Sequence, residues 1–199
     1  MNKGAALRKN LKPWALELVQ LLRHEFRALV AGLSPQQRQE KGQMDRWSPK
    51  DELAHLAYWL EVFVANIRFR REGKPLTDVR DYLAMNDAAW EARQDWGLEQ
   101  TEAAVRKVLT DLEEELERFT PEELTNPDRF TLEFPRPFVR SLLYELVDHP
   151  VHHFAGLYRK LGKGAEVGPM LRRLLEVLGR RGAAGWSATT RRKIQRHAP

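Results

Sequence analysis

Cysteine is absent from the 199 residues. That excludes a disulfide framework, a zinc ribbon, a cysteine nucleophile and an iron–sulfur site. Any metal held by this chain must therefore rely on nitrogen and oxygen ligands. Long apolar runs are missing too, and none approaches the roughly 20 residues that span a bilayer. The first residues have a charged start, but the apolar stretch behind them is broken by Pro13 and Glu17. No small-residue cleavage site follows, so a signal peptide is not expected and a cytoplasmic location is. There is no Gly-rich phosphate loop, no GxSxG elbow and no dinucleotide fingerprint. No segment alternates with period two, so strands are not expected.

What is present suits a packed core, with 42% hydrophobic residues. The net charge of +5 is unevenly placed. Residues 163–199 hold nine basic and two acidic side chains and carry +7, leaving the other 162 residues at −2. The basic character belongs to the C-terminal end. The near-neutral body gives no reason to invoke nucleic acid.

Helical periodicity dominates. A first long helix runs from about Leu11 to Val30, and Gly32 just past its end suits a left-handed cap. Ser34-Pro35 reads as a cap with proline at the first helical position, opening a short helix before Gly42. Ser48-Pro49-Lys50-Asp51 opens the second long helix, which ends near Arg71, before Gly73. A further helix is expected from Val79 to about Asp95. The third long helix covers about Glu99 to Phe119, followed by a Thr120-Pro121 cap. The fourth covers about Phe138 to Leu161. Pro169 to Leu178 suits a short amphipathic helix. Residues 182–199 have little to bury apart from Trp186 and are expected to be disordered. The pattern is all-α: a four-helix bundle over residues 1–162, with a long crossover between its second and third helices. Residues 163–199 form a basic extension, partly helical and then disordered.

Six histidines are present, three of them in His149-Pro150-Val151-His152-His153. On a helix His149 and His153 share a face, one turn apart, and such a pair can bind one divalent metal. Pro150 removes one backbone bond between them and favours a kink. His55, on the second long helix, is the best placed third ligand. The alternative is three hydrogen-bonded core or surface histidines. Glu52 and Glu145 lie one turn before His55 and His149. Each is either a support for its histidine and a proton acceptor, or a solvated charge. Tyr58, Trp59 and Tyr158 suit either a pocket wall or simple core.

Arg46-Trp47-Ser48-Pro49-Lys50-Asp51-Glu52-Leu53-Ala54-His55-Leu56 resembles the start of the second helix in DinB-like proteins. Asp148-His149-Pro150-Val151-His152-His153 resembles their last-helix motif. Met85-Asn86-Asp87-Ala88-Ala89-Trp90, Glu99-Gln100-Thr101-Glu102 and Phe119-Thr120-Pro121-Glu122-Glu123-Leu124 are similar to the ClbS/DfsB branch. The resemblance covers roughly residues 8–162. It implies a four-helix bundle of the DinB/YfiT type, often a homodimer. It also implies a divalent metal, commonly nickel, zinc or iron, on His55, His149 and His153. His152 falls beside this set.

Two functions follow from these residues and the resemblance. One is a metal-dependent enzyme acting on a small molecule by thiol-dependent transfer or hydrolysis, as in detoxification. The other is a non-catalytic protein that sequesters a reactive small molecule. A third expectation concerns Arg180-Arg181 and Arg191-Arg192-Lys193, which are either a contact for nucleic acid or a membrane surface, or a solvated mobile end.

Overall fold

The computed structural model describes residues 11–44, 46–133, 135–179 and 184–197. Among them the structure is helical, and the only extended pairing is an isolated antiparallel bridge between Gln43 and Arg46. The all-α expectation holds. In chain order the helices are α1 (Leu11–Ala31), α2 (Pro35–Gln39), α3 (Pro49–Arg71), α4 (Tyr82–Arg93), α5 (Leu98–Glu117), α6 (Pro121–Thr125) and α7 (Phe138–Leu143). A π-helical turn (Tyr144–Asp148) leads into α8 (His149–Lys160). A 3-10 turn (Gly164–Glu166), α9 (Val167–Leu178) and α10 (Ala184–Gln195) complete it. No helix among the described residues is long and apolar enough to cross a membrane.

Local chemistry explains the boundaries. Ser34, Ser48 and Thr120 each cap a helix with proline in its first turn. Each cap is reciprocal, with Gln37, Asp51 and Glu123 reaching back to the capping residue's N–H. Gly73 (φ +68°) ends α3 and Gly162 (φ +72°) ends α8, both in the left-handed region. Beyond them Lys74 N–H donates to Phe69 O and Lys163 N–H to Tyr158 O, which satisfies carbonyls of the last turn. Gly32 is different. It closes α1 with bonds to Ala28 O and Leu29 O, without the expected left-handed backbone.

The chain forms two compact units. One comprises Met1–Glu25 and Glu113–Pro199, the other Phe26–Leu112. In the second unit α3 buries Leu53, Leu56, Leu60, Phe63, Val64 and Ile67, the stripe its periodicity predicts. Fully burying such side chains contributes about 1.5–3 kcal/mol each. α4 packs on α3. The α3–α4 connection is tied down by Asn66, whose side-chain oxygen accepts the Thr77 N–H at 2.8 Å.

In the first unit Phe119 stacks on Phe138 (centroids 4.5 Å apart, 3° between planes), and Phe130 meets both rings edge-on. The Trp14 indole N–H donates to Val177 O at 3.0 Å. Arg173 grips Glu25 with two bonds of 2.7 and 2.9 Å. Glu25 is 2% exposed.

The C-terminal end corrects the expectation of disorder. Residues 184–195 form α10, which packs on α7, on the π turn and on α9. Its buried face is Ser187, Thr190 and Ile194. That spacing is helical, but only Ile194 is a large apolar residue, so the hydrophobic signal is weak. Arg180 and Arg181 lie outside the described residues, as do residues 182–183 and 198–199 and the side chain of Trp186.

Candidate metal centre

Trp-Ser-Pro-Lys-Asp orders the approach to His55. Ser48 N–H donates to Asp51 Oδ2 at 2.9 Å, and Asp51 N–H donates back to Ser48 Oγ at 3.3 Å. Lys50 and Asp51 form a buried ion pair at 2.7 Å, with both side chains 5% exposed or less. The same ammonium donates to Gln94 O at 2.8 Å and Arg93 O at 3.3 Å, the carbonyls that end α4. A cation suits the negative end of a helix, so Lys50 fastens α4 beside α3. His55 is 8% exposed. Trp47 lies tilted against its ring (4.7 Å, 46°), and Trp59 meets it edge-on at 6.4 Å.

A small cleft opens here, lined mainly by Trp47, Asp51, His55, Asn86, Trp90 and Arg93. Asn86, Trp90 and Arg93 recur at helical spacing on α4 and therefore share a face. Arg93 donates to Ala54 O at 3.0 Å and to the Glu61 carboxylate, and its guanidinium lies over Tyr58 and Trp96.

His149 and His153 open α8. The π turn in front of them is the structural answer to Pro150. Proline brings no N–H, and its ring would crowd the carbonyl four residues back in an α-helix. The chain widens instead, and His149 N–H bonds to Tyr144 O, five residues back. Turns of this kind are frequent at functional sites. Beyond the π turn the helix is regular, so His149 and His153 keep a common face, with ring centroids 4.8 Å apart.

One ring nitrogen from each of His55, His149 and His153 can be chosen so that all three lie within 4.8 Å of one another. His55 is buried and the other two are half-buried. A family model described as the DinB superfamily matches residues 18–156. The chain belongs to the DinB superfamily. No curated protein and no solved structure matches it.

In this DinB-superfamily chain the three imidazoles can hold a metal ion. Nitrogen–metal bonds of about 2.0–2.1 Å require the nitrogens to stand within about 4.2 Å of one another. Three neutral imidazoles suit zinc, nickel or iron, and a set of three leaves coordination positions open.

The remaining sequence-named residues fall at different places. Glu145 Oε2 stands 3.9 Å from His149 Nδ1, beyond hydrogen-bond length, with both side chains largely covered. Glu52 is half-buried, one helical turn before Leu56 and outside the cleft lining. His152 is exposed on α8, with the rings of His153 and His197 at 5.5 and 6.0 Å. Burial, His152 and Arg159 hold His197 below its ordinary pKa. Trp59 donates its indole N–H to Asn86 Oδ1 at 2.9 Å, and Tyr58 packs edge-on against Trp59. These two support the cleft from behind its lining. Tyr158 is core, 5% exposed and beside the Glu25–Arg173 pair. Among the lining residues, Asn86 and Trp90 belong to the segment that resembles the ClbS/DfsB branch, but the sequence marks neither them nor Arg93 as site residues beyond their shared helix face.

Proposed function

We propose that this DinB-superfamily chain is a metal-dependent enzyme that acts on a small molecule by transfer or hydrolysis, with His55, His149 and His153 as the metal ligands. The single observation that carries the reading is the approach of three imidazole nitrogens to within 4.8 Å in a chain that has no cysteine. When bound, a divalent ion supplies Lewis acidity and lowers the pKa of a water or thiol. The protein's own groups do the rest. Trp47 fixes the plane of the His55 ring, and the π turn sets the direction of His149. Glu145, after a small side-chain movement, accepts the Nδ1 proton of His149 and holds the ring in one tautomer. Trp47 and Trp90 exclude water from one wall of the cleft, which strengthens polar interactions inside it. The ClbS/DfsB subtype belongs to this proposal and rests on the motif resemblance.

A second reading is sequestration of a small molecule without turnover, for which the indole walls beside His55 offer a stacking face. Metal-stripped, metal-reconstituted and His55→Ala proteins separate the two. Each is assayed for transfer of a low-molecular-weight thiol to an electrophile and for hydrolysis of a strained ring or ester. Multiple turnovers that need metal and vanish in His55→Ala support the enzyme. One equivalent of compound removed per chain, with or without metal, supports sequestration.

A further inference from the structure

We propose that α10 is a clamp on the π turn, with Lys193 as the positioning residue that holds His149 and His153 in ligating register. This rests on the metal reading above. The family match ends at residue 156, so α10 lies wholly beyond the matched region.

Lys193 Nζ meets Asp148 Oδ2 at 2.6 Å. Asp148 closes the π turn and directly precedes His149. The Lys193 side chain is 53% exposed, but that of Asp148 is only 11% exposed. An exposed pair would contribute little, whereas removing the cation here leaves a covered carboxylate without its counter-charge. The other oxygen, Asp148 Oδ1, is buried without a hydrogen-bond partner among the described residues, so Lys193 supplies the compensation. The easiest relief for a stranded carboxylate is local opening of the π turn towards water.

Two further ties surround the same spot. Arg159, on the last turn of α8, donates to His197 O at 2.8 Å. Ile194, 1% exposed, anchors α10 next to Lys193. The clamp therefore grips both ends of the helix that carries the histidine pair. A π turn gains fewer backbone bonds per residue than an α-helix and is the natural place for that helix to loosen.

The test uses the full-length, tag-free protein and three variants: Lys193→Met, Lys193→Arg and the double variant Asp148→Asn/Lys193→Met. Lys107→Met serves as a control for loss of one positive charge. Backbone amide exchange of residues 144–150 is measured in metal-free protein, and cobalt(II) binding is followed by its visible absorption. The clamp predicts exchange at these amides faster by roughly tenfold in Lys193→Met, with no change at Trp14. It predicts cobalt(II) affinity lower by roughly tenfold and a shifted visible band. Lys193→Arg restores both, and the double variant recovers most of the protection because the stranded charge is gone. Lys107→Met behaves as wild type. Unchanged exchange in Lys193→Met overturns the clamp. Wild-type protein that takes up no cobalt(II) overturns the metal reading instead, and the exchange comparison still decides whether the clamp exists.

Discussion

At the scale of single residues, Gly42 is the most exacting position near His55. A Cβ there would sit 1.9 Å from Asp51 Oδ2 and 2.6 Å from the Ser48 nitrogen. Both atoms belong to the cap of α3, and one of them is backbone. Gly42→Ala is therefore expected to cost about 1–2 kcal/mol through loss of that cap, read as a lower urea midpoint with an unchanged slope. Tyr158 makes a second prediction. Burial, reinforced by the Glu25 carboxylate, pushes its hydroxyl up to about 12. The folded pKa lies above the unfolded value near 10, so below pH 10 this group's contribution to stability is fully present. It is lost as pH rises from about 10 to 12, where the unfolded chain ionises first. Spectrophotometric titration at 295 nm should show one tyrosine ionising near pH 12, and Tyr158→Phe should abolish that step.

At the scale of elements, the helix starts were the most legible feature. Ser34-Pro35, Ser48-Pro49 and Thr120-Pro121 name the capping atom and the pre-set backbone angle within two residues, and all three form reciprocal caps. The π turn was legible only as a disturbance, because Pro150 states that one bond must be lost without stating how the chain absorbs it. α10 was not legible. Its buried face is Ser187, Thr190 and Ile194, and burial of two hydroxyls leaves no hydrophobic stripe. Ser187 is satisfied by Leu178 O at 2.7 Å, a partner that only folding provides. Ile194→Ala is expected to cost about 2 kcal/mol, the low end for a core truncation because the site lies at a helix end. Differential scanning calorimetry checks it. Pro150→Ala should leave the molecule folded, by circular dichroism, but let an α-helical register compete with the π turn. Divalent-metal affinity should then fall by roughly tenfold.

At the scale of the whole chain, the uneven charge acquires a structural meaning. The basic C-terminal end is built into the fold: Arg173 pairs with buried Glu25 and Lys193 with Asp148. Arg173→Ala leaves the Glu25 carboxylate buried and unmatched. Its cost should be about 2 kcal/mol, reduced from that of a fully buried pair because Arg173 is 38% exposed. Denaturant unfolding measures it. The histidine set shows the same reach and the same limit of sequence reading. The i, i+4 spacing of His149 and His153 pointed to a shared face, and the motif around His55 pointed to a partner. Spacing alone could not say that Asn86, Trp90 and Arg93 would line the cleft at His55, because a helix pattern does not name the helix it packs against.

The most direct measurement is the metal content of tag-free protein, determined by elemental analysis after loading with zinc or nickel and removal of excess ion. One tightly held divalent ion per chain is predicted for wild type, with loss of most of it in each of His55→Ala, His149→Ala and His153→Ala while the helical circular dichroism persists. Wild-type protein that retains no metal, or a His55→Ala protein that retains all of it, would contradict the account.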